Sequence, residues 1–239
     1  MSYLFVHGLT MAFGGVRALE SVTFGIERGE LVGLIGPNGS GKTTLVNILS
    51  GHLRPDGGRV ELDGRRIDGL RPEILARRGV LRTFQLTRVF PRMNAIDNLV
   101  AVGCALGLTQ REAERRGSKI MEELSLAGLC GLDAGHLSGG QMKLLEFGAC
   151  FMVPPKIALL DEPFAAIHPT MKEIMAAFIR RYHAAGQTFL LISHDMPVIV
   201  ELCPRALCLD AGAVIADGLT RVVLTDRVVI EAYLGEAAA

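Results

Sequence analysis

Residues 36–43 carry the most specific chemical signal in the chain, the sequence GPNGSGKT. It fits the pattern G-x-x-x-x-G-K-[ST], whose glycines let successive backbone N–H groups turn toward phosphate oxygens at the start of a helix. The preceding residues 31–35 are continuously apolar and predict a buried strand, and residues 42–49 have helical spacing. A glycine-rich turn of purely structural origin is the alternative. Because strand, loop and helix follow in the required order, we favour a loop that binds the phosphates of a nucleotide.

Two side chains of this glycine loop have separate expected roles. Lys42 would contact the β- and γ-phosphates, and the Thr43 hydroxyl would ligate Mg²⁺. The cofactors that we expect are therefore a nucleoside triphosphate and Mg²⁺. The other residues of the loop and first helical turn expected to contact the nucleotide are Asn38, Gly39, Ser40, Gly41 and Thr44.

A second chemical signal is the acidic pair Asp161 and Glu162, which ends the apolar segment 157–160. In an enzyme with a phosphate-binding loop, an aspartate at the end of a buried strand holds the Mg²⁺ shell, and a neighbouring glutamate can polarise an attacking water. Taken alone, an acidic pair after a strand is more often a helix N-cap. Its place after the glycine loop and directly before Pro163 favours the catalytic interpretation.

The elements that must position these residues alternate between apolar blocks and helical patterns, which predicts an α/β fold with a mainly parallel central sheet. Three short, turn-bounded runs near the N-terminus predict an antiparallel β lobe: 3–6, 22–26 and 60–63. Strand signals vanish from about residue 91 to 135, and the amphipathic segment 109–129 predicts an inserted helical lobe. Later strand and helix signals cover 157–160, 189–192, 206–209, 214–216 and a closing helix over 226–234.

Composition restricts the class of protein. Of 239 residues, 49% are hydrophobic, and 25 Lys plus Arg balance 25 Asp plus Glu. This apolar content argues against disorder, and the zero net charge argues against nucleic-acid binding through a basic surface. No apolar run reaches the roughly 20 residues of a membrane span, and the first ten residues do not resemble a secretory signal. The five cysteines contain no C-x-x-C pair and are predicted to be reduced, buried thiols rather than a zinc site.

Three further segments resemble the ATP-binding cassette (ABC) family. Residues 137–141 read LSGGQ, the signature sequence of that family, and precede the acidic strand as the family pattern requires. Gln85, which closes a predicted strand over 80–84, resembles its Q-loop glutamine, and His194, in ISHD, resembles its switch histidine. A lone glutamine or histidine would more often be an ordinary polar residue. Five motifs in the family's order make coincidence negligible.

The resemblance implies an arrangement of lobes and subunits. Residues 1–85 and 156–239 would form a P-loop NTPase core with the β lobe, and residues 86–155 a helical subdomain, all within one ATP-binding domain. Two subunits would dimerise head to tail, so that each ATP lies between the glycine loop of one and the signature of the other. The implied contacts in trans are Ser138, Gly139, Gly140 and Gln141. The implied catalytic residues are Glu162, His194, Lys42 and Gln85, and the implied Mg²⁺ ligands are Thr43, Gln85 and Asp161.

Some assignments from the resemblance have alternatives. Phe13 matches the aromatic residue that stacks on adenine, or is a core residue of the β lobe. His168 stands where the family usually has an aspartate. Four apolar residues would line a groove for a permease helix, or simply pack the helical lobe: Leu86, Val89, Phe90 and Met93.

Within the family, three segments resemble the ATPases of branched-chain amino-acid uptake systems: residues 12–67, 82–99 and 229–236. This implies ATP hydrolysis that powers import, with a second ATPase subunit, membrane permeases and indirectly a solute-binding protein as partners. The chain would be cytoplasmic, at the inner face of the membrane. Related sequences drive urea import or lipopolysaccharide export. Two competing hypotheses are a soluble ABC ATPase outside transport and a regulatory module without turnover.

Overall fold

Two β-sheets form the frame on which the glycine loop rests. The computed structural model describes residues 3–83 and 89–237 of the chain, with side chains up to residue 234. The strands in these residues are β1 (Leu4–Phe13), β2 (Val16–Ile26), β3 (Leu31–Ile35), β4 (Gly57–Leu62), β5 (Arg65–Arg66), β6 (Val80–Arg82), β7 (Ile157–Asp161), β8 (Thr188–Ile192), β9 (Arg205–Asp210) and β10 (Ala213–Leu219). One sheet has the order β2-β1-β4-β5, and the other has the order β10-β9-β3-β8-β7-β6.

The larger sheet brings the predicted chemical residues to one edge. Its neighbours from β9 to β6 are parallel, and β10 adds an antiparallel edge. Every residue of β3, β7 and β8 is buried, as expected for strands covered on both faces. Ile192 pairs with both Leu34 and Asp161, so β3, β7 and β8 end at the same level. The residues that follow these three strands therefore meet at the carboxyl edge of the sheet.

The smaller sheet is the antiparallel β lobe predicted from the sequence. Its first two strands are longer than the apolar runs 3–6 and 22–26 indicate, because they continue into a hairpin that turns at Gly14 and Gly15. Both glycines have positive φ, of 52° and 92°. Most residues in the outer half of this hairpin are exposed or only half-buried, so the alternation of apolar residues that marks a strand is weak there.

Helices cover the larger sheet and form the inserted lobe. They are α1 (Lys42–Leu49), α2 (Pro72–Arg77), α3 (Ala95–Ala105), α4 (Gln110–Glu123), α5 (Gly139–Ala149), α6 (Pro169–Ala184), α7 (Met196–Leu202), α8 (Thr220–Val223) and α9 (Arg227–Ala237). Short 3₁₀ turns lie at Ala127–Leu129 and Ala134–His136. The closing helix predicted over 226–234 is α9. None of the helices that the structure describes is both long and apolar enough to cross a membrane.

The inserted lobe between β6 and β7 contains α3, α4 and α5, which pack on one another. Its interior includes Leu99, Ile120 and Phe147, and these side chains belong to the same core as one face of the larger sheet. The helix predicted over 109–129 starts as expected, because the Thr109 side chain and Glu112 form a reciprocal cap at its N-terminus. It ends at Glu123, and the turn that the prediction included follows as the 3₁₀ turn at Ala127–Leu129. The lobe boundaries at residues 86 and 155 stay predictions.

The cysteines are thiols, as none of the five forms a disulfide. Cys203 and Cys208 are buried, and burial raises the pKa of Cys203 to about 12. Cys130 and Cys150 are half-buried, but Cys104 is exposed near the end of α3. The prediction that all five are buried is therefore wrong for Cys104, because the 3.6-residue period of α3 turns it toward solvent.

Candidate nucleotide-binding site

A cavity of about 430 Å³ opens at the carboxyl edge of the larger sheet. The glycine loop and the first turn of α1 form one side, and the residues after β7 and β8 form the other. The described lining residues are Ala18, Asn38, Gly39, Ser40, Gly41, Lys42, Thr43, Thr44, Asp161, Glu162, Ala165, Ile192 and His194. The structure thus brings together residues that the sequence separates into four segments.

Two glycines shape the loop through their backbone conformation. Gly36 has a φ of 145°, and a Cβ atom there would lie 2.1 Å from the carbonyl oxygen of Leu209. Gly41 precedes α1 with a φ of 105°, and its Cβ atom would lie 2.5 Å from the carbonyl oxygen of Ala18. A side chain at either position would overlap with backbone atoms, which cannot move aside as a flexible side chain can. The sequence of the loop is therefore fixed by geometry at these positions.

We expect Gly36→Ala to destabilise the chain by at least about 2 kcal/mol and to weaken ATP binding, because left-handed strain and overlap with Leu209 add together. Gly14→Ala is the matched control, since its φ is also positive, at 52°, but nothing lies within 4 Å of its Cβ atom. Urea unfolding and titration with a fluorescent ATP analogue measure both effects. Equal losses of stability in the two variants would show that the overlap has no role.

The ammonium group of Lys42 lies over the hollow of the loop. Its Nζ atom donates to the carbonyl oxygens of Gly36 and Pro37, each at 2.7 Å, and to Ser40 Oγ at 3.3 Å. Hydrogen bonds to charged phosphate oxygens are stronger than those to neutral carbonyls. The Lys42 ammonium group is therefore already held at the glycine loop. When a phosphate binds there, its oxygens would replace these carbonyl oxygens as the hydrogen-bond partners of Lys42.

Asp161 is the last residue of β7 and is nearly buried, with 9% of its surface exposed. Its N–H donates to Thr83 Oγ1 at 3.0 Å, and Arg82 Nη2 donates to its Oδ2 atom at 2.7 Å. Sequence reasoning missed both partners. A charged residue inside the predicted strand 80–84 is the one signal that could have pointed to Arg82, because a buried charge needs an opposite charge.

Glu162 sits on a strained turn directly after Asp161. Its φ of 48° is unusual for a residue with a side chain. The turn directs the carboxylate to the end of β8, where Oε1 accepts from the His194 N–H at 3.0 Å and Oε2 lies 2.9 Å from His194 Nδ1. The His194 side chain is mostly exposed to the cavity side, at 76%. A carboxylate and an imidazole thus face the cavity as one hydrogen-bonded pair.

The signature residues lie apart from this cavity. Ser138 caps α5, since its Oγ atom accepts from the Gln141 N–H at 3.3 Å and its own N–H donates to Gln141 Oε1 at 2.8 Å. Ser138 and Gly139 are exposed. In the part of the chain that the structure describes, no residue of 138–141 lines the cavity that holds Lys42.

Lys143 connects the signature helix α5 to the loop that carries Glu162. Its Nζ atom donates to the carbonyl oxygen of Ala165 at 2.7 Å and to that of Glu162 at 3.4 Å. Desolvation lowers the pKa of Lys143 from its ordinary value. Sequence reasoning missed this residue too, because a lysine on a helix is more often a solvated side chain.

The remaining predicted residues have mixed outcomes. Phe13 is 47% exposed at the end of β1, so its interpretation as a core residue of the β lobe is wrong, and stacking on adenine stays a prediction.

Gln85 and Leu86 lie outside the described residues. Val89 packs against the core of the helical lobe, whereas Phe90 is 56% exposed. His168 caps α6, and its Nδ1 atom accepts from the Thr170 N–H.

A parallel sheet, a glycine loop at a helix N-terminus and a buried aspartate on a neighbouring strand define a P-loop nucleotide-binding protein. Residues 19–165 match the family described as "ABC transporter". The chain is 38% identical, over 97% of both chains, to the high-affinity branched-chain amino acid transport ATP-binding protein BraF of Pseudomonas aeruginosa. It is 36% identical, over 98% of both, to LivG of Escherichia coli, which has the same description.

The solved structures agree with this class. An ATP-binding cassette of an ABC transporter in its ADP conformation superimposes with a TM-score of 0.88 at 32% identity, over 99% of this chain and 100% of that chain. The chain therefore belongs to the ABC transporter family and is an ATPase of the ABC type. The family and the fold class predicted from the sequence are confirmed.

Proposed function

We propose that this chain is the ATP-hydrolysing subunit of an importer for branched-chain amino acids. The observation that carries the hydrolytic role is the convergence of Lys42, Asp161 and the Glu162–His194 pair on one cavity. The solute is supported by the identity to BraF and LivG over nearly the full length of each chain, since both are named for this transport.

The donor set of the cavity fits Mg²⁺ bound together with ATP. Mg²⁺ prefers oxygen ligands, and in nucleotide sites it uses one or two carboxylates, hydroxyls and the phosphates themselves. Thr43 and Asp161 both line the same cavity as Lys42. Gln85, the third predicted ligand, lies outside the described residues. A bound Mg²⁺ would offset the negative charge of the β- and γ-phosphates.

The residues of the chain would divide the remaining work of phosphoryl transfer. Lys42 and the N–H groups of residues 38–44 bind and orient the phosphates, which supplies positioning and charge stabilisation. Glu162 accepts a proton from the attacking water, and His194 orients the Glu162 carboxylate through Nδ1 and its backbone N–H. A general base of this kind contributes roughly 10²- to 10⁴-fold to a rate.

A second ATPase subunit would complete the site. The signature residues of this chain present an exposed helix N-terminus that lies away from the cavity holding Lys42. A helix N-terminus with a hydroxyl and glycine N–H groups is suited to a phosphate. We therefore assign Ser138, Gly139, Gly140 and Gln141 to the γ-phosphate bound by the partner, and Phe13 to the adenine bound by the same chain.

The helical lobe would receive the permease. Phe90 is exposed beside the entry of this lobe, directly after the segment that contains Gln85. A contact at this point would connect the permease to the γ-phosphate through one short stretch of chain. The subunit would therefore lie at the cytoplasmic face of the membrane, and a solute-binding protein would act on it only through the permeases.

Uptake by a reconstituted complex tests the proposed function. We expect this chain, expressed with the permeases of its own gene neighbourhood, to copurify with them in detergent and to drive ATP-dependent uptake of labelled leucine, isoleucine or valine into proteoliposomes. Unlabelled urea, the solute of a related importer, is added as a competitor of the labelled amino acid and serves as the control. Uptake of urea alone, or recovery with lipid-export components, would overturn the assignment of the solute. Recovery with soluble partners alone would overturn the transport role.

A further inference from the structure

Arg82 is a buried arginine that connects Asp161, which lines the nucleotide cavity, to the end of α1. Its side chain is 9% exposed, and it lies on β6 beside β7, with Arg82 paired to Leu159. Its Nη2 atom donates to Asp161 Oδ2 at 2.7 Å. Its Nη1 atom donates to Asn47 Oδ1 at 2.7 Å and to Ser50 Oγ at 2.9 Å. One planar guanidinium group therefore contacts both the acidic strand and the end of α1.

The helix on the other side of this contact also carries a predicted Mg²⁺ ligand. Asn47 lies four residues after Thr43 on α1, which is about one helical turn. The guanidinium fork is rigid, so it holds its partners on both sides at a fixed separation. Arg82 thus contacts both the helix that carries Thr43 and the carboxylate of Asp161.

The ion pair also holds one carboxylate oxygen of Asp161. Arg82 binds Oδ2, and the Asp161 N–H donates to Thr83 Oγ1 at 3.0 Å. Both the side chain and the backbone of Asp161 are therefore held by hydrogen bonds. Without Arg82 the Asp161 carboxylate would be a buried charge that has lost its guanidinium partner. Such a group turns toward another cation or takes up a proton. In this cavity, the next cation on the wall is Lys42.

We propose that Arg82 is a positioning residue for Mg²⁺: it orients Asp161 toward the metal of Mg-ATP and fixes the distance of Asp161 from Thr43. This inference rests on the proposed function, in which both residues serve Mg²⁺. Residues that orient metal ligands in this way change metal affinity or activity by about 10- to 100-fold when they are replaced.

A binding experiment tests the role apart from hydrolysis. A fluorescent ATP analogue is titrated with the purified chain in EDTA and then over a range of Mg²⁺ concentrations. We expect Arg82→Gln to need about 10- to 100-fold more Mg²⁺ than the wild type, with binding in EDTA changed less than about threefold. Arg82→Lys keeps the charge but loses the planar guanidinium fork. We expect it to need a Mg²⁺ concentration between that of the wild type and that of Arg82→Gln.

Arg205→Gln is the matched control for loss of an arginine that bonds to acidic residues, here in a partly buried position. Arg205 bonds to Glu30 and Asp217, and neither of these partners is among the described residues that line the nucleotide cavity, whereas Asp161, the partner of Arg82, does line it. We expect this variant to keep the Mg²⁺ requirement of the wild type. If Arg82→Gln does not fold, Asn47→Ala removes one anchor of the guanidinium without removing its charge, and it should raise the Mg²⁺ requirement about three- to tenfold.

Several results would overturn the inference. An unchanged or lower Mg²⁺ requirement in Arg82→Gln would do so, as would an equal loss of binding in EDTA and in Mg²⁺, which would mark a purely structural role. An unchanged Mg²⁺ requirement in Asn47→Ala would also contradict it where Arg82→Gln is unfolded. Failure of the proposed function is distinguishable, because in that case the wild type itself would bind the ATP analogue without any effect of Mg²⁺.

Discussion

Glu162→Gln is expected to reduce ATP hydrolysis by at least about 100-fold while leaving ATP binding intact. Glutamine has nearly the shape of glutamate and still accepts hydrogen bonds through its oxygen, so the contacts with His194 can persist. It cannot take a proton from water at neutral pH. ATP that is bound but not hydrolysed should hold two subunits together, because each nucleotide would be enclosed by both of them.

Size-exclusion chromatography with and without Mg-ATP measures this trapping, and phosphate release measures the loss of turnover. We expect a dimer of Glu162→Gln with Mg-ATP and a monomer without it. Glu231→Gln is the control, because Glu231 is an exposed glutamate of α9 that pairs with Arg227. Hydrolysis by Glu162→Gln at the rate of the wild type would show that another group acts as the base.

The second large effect concerns the two halves of the proposed composite site. Lys42→Ala removes the cation that lies over the glycine loop, and we expect it to abolish hydrolysis, with less than about 1% of the wild-type rate remaining. Ser138→Arg places a bulky side chain at the exposed N-terminus of α5, and we expect the same loss of rate. Its folding should be affected only slightly, since loss of a helix cap destabilises by about 1 kcal/mol.

The motifs of the sequence predicted much of the candidate site, because each of them is a local pattern. The glycine loop has its own requirement for φ, and the acidic pair follows an apolar strand whose burial is visible in the sequence. The parallel order of β3, β7 and β8 then brings these segments together without further signals. Alternation of strands and helices was enough to predict that the strands are parallel.

The contacts that the sequence did not reveal are those made across elements. Arg82 meets Asp161 only because β6 lies beside β7, and Lys143 reaches the Glu162 loop only because α5 packs below it. The left-handed turn at Glu162 is likewise a product of the surrounding fold, since no glycine or asparagine marks the position. Pairing between distant segments leaves no periodic signal in either of them.

Exposure was also harder to predict than secondary structure. Phe13 and Cys104 are residue types that are often buried, yet the hairpin and the surface of α3 place both of them in solvent. For Phe13 this exposure matters, because an aromatic side chain that is not used in the core is available for a ligand. Phe13 lies at the end of β1 in the β lobe, and its contact to adenine stays a proposal.

Phosphate release by a mixture of Lys42→Ala and Ser138→Arg tests the composite ATPase site most directly. In a mixed dimer of these variants, one of the two sites combines an intact Lys42 with an intact Ser138. At equal concentrations, random pairing should restore about a quarter of the wild-type sites, although each variant alone is inactive. Recovery near that level is the result that we predict. A mixture no more active than the two separate variants would contradict a site shared between two subunits.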